Sequence, residues 1–394
     1  MSSSAILAPA PPGRAQAVAA VPRSDLPDAA EIVVVGAGIS GLCCGLYLAA
    51  AGREVLVLDG GDPWGDASGV NAGTLSVQVK RPEVLDVTRE ALRLWAGFRE
   101  AFGVDVGFGQ PGGVRVATTP REVGWLRDSV RVQRGLALEV ELLEGNEVRD
   151  RFPWLGPAVL AASLCDLDAY SSPLLAGPAL LRACRQAGVL VAGHAGVEAI
   201  EARNGRGFRV RTAAGALACR RLVIAAGAWT GEVTAMLGVS LPVLVDVNML
   251  TVTEPAPPFL ERIVTHIGGV LSLKQYPNGT CLIGGGWQGR GGPADGRKEL
   301  DYENLLHNLR VAAAVVPALA ELRVLRSWSG FEAVAPDALP VLGRLPRHDD
   351  AFVLACARGG YSQGPALAKL LAELMLRREA SLHVGLFDPA RFRA

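Results

Sequence analysis

The sequence carries no excess of either charge: 39 Lys and Arg stand against 39 Asp and Glu. No long-range field therefore selects nucleic acid or an anionic membrane, which leaves a small molecule as the expected partner. It also lacks any C-x-x-C. The seven cysteines, at 43, 44, 165, 184, 219, 281 and 356, fall largely inside apolar runs, the pattern of reduced core residues in a cytoplasmic protein and not of a disulfide frame or metal site. No run is long enough to span a membrane. Residues 1–29 lack the apolar core of a secretory signal. With Pro9, Pro11, Pro12, Pro22 and Pro27 among Ala and Ser, they are read as an unstructured tail, a transit peptide with so few arginines being the weaker alternative. No internal repeat is present.

What is present begins at Glu31–Asp59, which reads strand, glycine turn, helix, strand. Ile32 to Val35 is a β-branched run suited to a buried parallel strand, and Gly36-Ala37-Gly38-Ile39-Ser40-Gly41 follows as G-x-G-x-x-G. Gly36 allows the tight turn, Gly38 lets backbone approach a pyrophosphate, and Gly41 lets the helix pack on the strand. Phosphates then sit at the helix N-terminus, beside Ile39 and Ser40. Asp59 closes the second strand, where an acid takes ribose hydroxyls and would repel a 2′-phosphate. A lone glycine motif is weak evidence; strand, helix, strand and acid in register make a dinucleotide-binding unit.

From Gly60 the chain runs through a Gly-, Asp- and Asn-rich loop instead of a second crossover helix, so backbone there can approach a flat ring system. An amphipathic helix follows, with Leu85, Thr88, Leu92, Trp95, Phe98 and Phe102 on one face. Leu222 to Trp229 repeats the buried-strand-then-glycine pattern, and Ala351 to Cys356 returns to it before a helix expected over Pro365 to Arg378. Between them, Val243 to Val252, Val270 to Gln275 and Thr280 to Ile283 alternate as antiparallel strands do. The expected fold is α/β: a doubly wound, mostly parallel Rossmann-like domain interleaved with an antiparallel-sheet substrate domain. The first takes 30–103, 168–241 and 325–385, the second 104–167 and 242–324, and 386–394 is a C-terminal tail.

This order of parts resembles the D-amino-acid oxidase family of flavoproteins, and within it the branch of sarcosine oxidase β subunits, glycine oxidase and related amine dehydrogenases. The resemblance rests on the first glycine motif, Ala67 to Gly73, Ala226 to Trp229, Thr253-Glu254-Pro255, Ser272 to Gln275 with Leu282 to Trp287, and Trp328-Ser329-Gly330 with Pro336-Asp337. It implies FAD, with Asp59 and Gly60 at the ribose, Ser68, Asn71, Ala72 and Gly73 along the ring system, and Val197 at the adenine. It further implies that Ala226, Gly227 and Trp229, with Gly359, Gly360, Tyr361, Ser362 and Gln363 ahead of the last helix, contribute to the cofactor site.

The same resemblance implies oxidation of a Cα–N bond in a small amino acid or secondary amine, by hydride transfer to flavin. Lys274, His266, Glu332 and Tyr361 are the candidates for catalytic contact. The family's glycine oxidases carry an arginine where this chain has Glu332, so either another cation such as Lys274, Lys80 or Arg81 clamps the carboxylate, or the substrate presents a positive group to Glu332. Relatives with covalent flavin use a cysteine just after Trp-x-Gly; Phe331 to Ala335 has none, and non-covalent FAD is expected. The competing readings are a nicotinamide-dependent dehydrogenase and a flavin-holding, non-catalytic component of a complex. Partner chains in a hetero-oligomer are expected from the resemblance to β subunits, and slow reoxidation by oxygen from the absence of a lysine in Thr280 to Gly284.

Overall fold

The computed structural model describes residues 26–203, 205, 207–355, 358–376 and 380–392. Most of the N-terminal tail, together with Cys356, Arg377 and Arg378, lies outside these. The first strand, Ala29–Val35, sits in the middle of a sheet and is buried on both faces. Ile32 and Val34 project into one apolar cluster, Val33 and Val35 into another, which is why the run is continuously β-branched. It pairs in parallel with Val55–Leu58 on one side and Gly215–Ile224 on the other. Leu190–Ala192 and Ala351–Ala355 extend the parallel array outward, and Val341–Arg344 closes one edge antiparallel. Helices Ile39–Ala50, Leu85–Phe102, Pro173–Gln186 and Gly360–Met375 contribute buried residues to the first cluster.

The second sheet has eight strands, from Val324–Val334 at one edge through Leu244–Thr253, Cys281–Gly284, Ser272–Gln275, Ile263–His266, Gly113–Ala117 and Ala161–Cys165 to Glu141–Glu144. All neighbours are antiparallel except Ile263–His266 beside Gly113–Ala117. That parallel pair joins strands contributed by two distant stretches of chain. Among the described residues no helix is long and apolar enough to cross a membrane.

Three boundaries differ from the sequence reading. Val324–Val334, taken from 325 onward as part of the first domain, hydrogen-bonds along Leu244–Thr253 in the second sheet; its Trp-Ser-Gly segment hides a strand because glycine and serine weaken the alternation. The last helix begins at Gly360, not Pro365. Proline looks like a first-turn residue, but Tyr361, Ser362 and Gln363 are already helical and buried ahead of it. The described part of the C-terminal segment, 386–392, is packed: Phe387 is buried, and Arg391 pairs with Asp337 at 2.8 Å.

Candidate active site

A Cβ on Gly36, whose φ is +107°, would overlap the Ala225 carbonyl oxygen of the adjacent strand. A Cβ on Gly41 would overlap the Gly36 carbonyl oxygen, so the two glycines together draw the helix Ile39–Ala50 down onto the turn. The helix has no side-chain cap from Gly38. Ser68, in the following loop, accepts from the Ile39 N–H at 2.9 Å instead. Asp59 accepts from Ala37 N–H at 2.6 Å and from Gly61 N–H at 2.9 Å. Burial pushes its carboxyl up, and these two hydrogen bonds pull it back.

Over this turn lies a cavity of about 760 Å³ between the two sheets, within the range of roughly 300–1,000 Å³ typical of ligand sites. Gly36, Gly38, Ile39, Ser40, Asp59 and Gly60 line it, as do Ser68, Asn71, Ala72, Val197, Ala226, Gly227 and Trp229. The second sheet contributes Asn248, Met249, Leu250, Ser272, Gly330, Phe331 and Glu332, and the last helix contributes Gly360, Tyr361 and Ser362 behind Gly359. Tyr361 stacks on Trp95 with centroids 5.1 Å apart, and its hydroxyl meets Ser171 Oγ at 2.7 Å.

Glu332 is fixed at both oxygens. Oε1 accepts from the Gly359 N–H at 3.1 Å and Oε2 from Asn248 Nδ2, while Asn248 Oδ1 accepts from Gln288 Nε2 at 2.6 Å. Directly across the strand pair from Glu332 stands Asp246, a like-charge pairing that is unfavourable by itself. Arg358 takes Asp246 at 2.6 Å.

Six residues singled out from the sequence do not line the cavity, among them Arg81, which is ion-paired with Glu83 at 2.6 Å. Lys274 faces the same way as Ser272 but is 1% exposed, and its Nζ donates to the Ala72 carbonyl at 2.7 Å, behind the loop that does. Burial alone pushes its ammonium down to about 7. His266 is equally enclosed: Nδ1 accepts from Gly268 N–H at 3.0 Å, so the proton sits on Nε2, beside Thr118 Oγ1 at 3.1 Å. Burial pushes its pKa down, against the pull of Glu122. Gly41 packs beneath the turn; Gly73, with φ +69°, turns under Ser171; Gln363 donates to Thr88 Oγ1 at 3.0 Å in the core. Conversely, sequence reasoning missed Asn248. Its signal was a polar residue inside an otherwise apolar alternating strand, two residues from Asp246 on the same face.

The chain is similar to one of the subunits of opine oxidase from Rhizobium meliloti, 28% identical over 382 residues, which cover 92% of this chain and 98% of that one. It is 26% identical to mitochondrial dimethylglycine dehydrogenase of Rattus norvegicus over 93% of its own length, but spans only 45% of that longer protein. The crystal structure of glycine oxidase from Geobacillus kaustophilus superposes with a TM-score of 0.84 at 26% identity, covering 93% of this chain and 100% of that one. Residues 31–374, from the first strand through the last helix, match the DAO model, and the chain belongs to this family of FAD-dependent oxidoreductases.

Proposed function

We propose that the protein oxidises the Cα–N bond of a small amino acid or secondary amine to an imine, which water then hydrolyses. The observation that carries this reading is one continuous cavity, reaching from the glycine turn at Gly36, past Tyr361 on the last helix, to the polar pair Glu332 and Asn248 on the other sheet. The relatives are named for opine, dimethylglycine and glycine, each of which carries such a bond.

The residues present fit FAD. The cradle at Gly36 and Gly38 would be filled by any Cβ, the N-terminus of a twelve-residue helix faces it, and Asp59 stands beside it with lone pairs left for hydroxyls. Bound FAD supplies the hydride acceptor. Asn71 and Ala72 offer backbone to the ring system, while Met249, Leu250 and Phe331 exclude water from the reacting end. Glu332, held by two donors, presents its remaining lone pairs to a cationic or N–H group, and the proton leaving the substrate nitrogen has an acceptor there.

Relatives named as subunits support reading the chain as one component of a hetero-oligomer. Burial of all six described cysteines supports a reducing, cytoplasmic setting. Lys274 is turned to a backbone carbonyl and the strand Cys281–Gly284 has no cation, so reduced protein should react slowly with oxygen. Stopped-flow mixing with air-saturated buffer tests this, and reoxidation that keeps pace with turnover would make the protein an oxidase. The function itself is tested by anaerobic mixing of the yellow protein with a panel of amino acids and secondary amines. Bleaching by at least one amine is expected. Bleaching by dithionite but by no amine would leave a flavin-holding, non-catalytic component.

A further inference from the structure

Lys274 stands on the strand Ser272–Gln275, 1% exposed, with its Nζ turned to the back of loop 71–73. Ala72, in that loop, has two sides. It lines the cavity, and its carbonyl accepts from Lys274 Nζ at 2.7 Å and from Tyr276 Oη at 3.3 Å. A single peptide therefore separates a buried amine from the space that receives the cofactor. That amine is poorly compensated. Among the described residues its Nζ has one hydrogen-bond acceptor and no carboxylate oxygen within 4.0 Å. The Tyr276 ring, with its centroid 5.8 Å away, adds only a weak cation–π contact. The titratable and charged groups packed around it are Tyr276 and Tyr170, both pushed up by burial, with Glu261 and Arg262. These four share with Lys274 the wall of a second cavity of about 180 Å³, and Arg262 is ion-paired with Asp166 at 2.6 Å.

An ammonium in that position is costly until negative charge arrives on the other side of the peptide. Hydride transfer from an amine brings such charge. Two electrons and one proton pass to the flavin ring system, which leaves one net negative charge there. Asn71 and Ala72 offer backbone to that ring, so the charge develops across the Ala72 peptide from Lys274. We propose that Lys274 is a positioning residue that takes up a proton as the flavin is reduced and stabilises the reduced state through the Ala72 peptide. It thereby tunes the reduction potential without touching substrate or cofactor. The proton comes from solvent through the second cavity, whose rim includes the exposed Glu261. Burial alone holds the amine at a pKa of about 7, so the gain of one proton falls near neutrality. This deepens the amine-oxidation reading and rests on it for the source of the hydride, but its test needs no amine.

The FAD-loaded full chain is reduced stepwise with dithionite against a reference dye at pH 6 and pH 9, as wild type and as Lys274→Met. At pH 6 the amine is largely protonated in both redox states. The variant's equilibrium constant for reduction should there fall roughly tenfold, about 30 mV for two electrons. At pH 9 the amine is neutral in both states, and the two proteins should match. Lys80 and every other group common to both cancels in the difference. Sulfite, which adds to the flavin ring and leaves negative charge on it, should bind the variant more weakly by a similar factor at pH 6 and equally at pH 9. Tyr276→Phe removes the other donor to the Ala72 carbonyl but no charge, and should show no such pattern. FAD content is measured for each variant, with Lys274→Gln in place of Met if that variant loses flavin. Equal potentials at pH 6 overturn the proposal. A difference of the same size at both pH values overturns it too, as does the same pattern in Tyr276→Phe, by assigning Lys274 to holding the loop in shape. Failure of any amine to bleach the protein would fall on the proposed reaction and not on Lys274.

Discussion

At the scale of single residues, placement decides role. Lys274 is buried and wired to the Ala72 carbonyl, whereas Lys80, only partly buried, lines the cavity. For Lys274 the consequence is a stability that depends on pH. Its ammonium pKa falls from 10.5 to about 7 on folding, so between those values the unfolded chain holds a proton that the native state does not. Its contribution is therefore greatest above about pH 10.5 and is lost as pH falls to about 7. Lys274→Met removes that dependence, so the variant should gain stability relative to wild type as pH is lowered across this window. Urea midpoints at pH 7, 8, 9 and 10 check it; parallel curves would contradict the burial assignment. Glu332 makes a different prediction. Glu332→Arg replaces an anion fixed by Asn248 and Gly359 with a second cation beside Lys80, and the set of amines that bleach the flavin should change. An identical substrate profile would remove Glu332 from the site.

At the scale of elements, the segment from Ser76 to Lys80 shows how a loop is held without regular structure. Asp168, fully buried, accepts from Ser76 Oγ at 2.7 Å, Val77 N–H at 2.6 Å, Gln78 N–H at 3.3 Å and Gln78 Nε2 at 2.8 Å. Burial pushes its carboxyl up and those four bonds pull it down. Nothing in the local sequence pairs position 168 with 76–78, because the contact closes a loop of some ninety residues. Asp168→Asn turns an N–H₂ toward groups that donate, leaving at least one buried donor unmet at a cost of about 1–3 kcal/mol. A lowered urea midpoint with weaker FAD retention is expected, since the base of Lys80 moves with the segment. An unchanged midpoint would mean the network is not needed to hold it. The last helix teaches the converse: Pro365 was a legible helix signal read at the wrong position, and the buried face of Tyr361 to Gln363 set the true start.

At the scale of the whole molecule, the cavity exists because two sheets built from interleaved stretches of chain meet over one glycine turn. None of its described lining residues is a cysteine or histidine, and Phe331 to Ala335 offers no thiol. FAD should therefore leave with the supernatant when the protein is precipitated in acid or unfolded in urea, and flavin retained in a fully unfolded pellet would show a covalent link. The sequence by itself determined the dinucleotide-binding unit at the centre of the first sheet, because β-branched runs, glycines at fixed spacing and a terminal acid are local signals that each demand one geometry, and its resemblance to known flavoproteins implied the family and the cofactor. It also named most of the residues that surround the cavity. The tertiary structure alone decided which polar groups face that space and which face backbone: Lys274 and His266 away from it, Asn248 and Lys80 into it. The physical reason is that strand periodicity assigns a face to a side chain, whereas what covers that face is set by pairings between distant segments, such as Asp246 with Glu332 or Ile263 with Gly113.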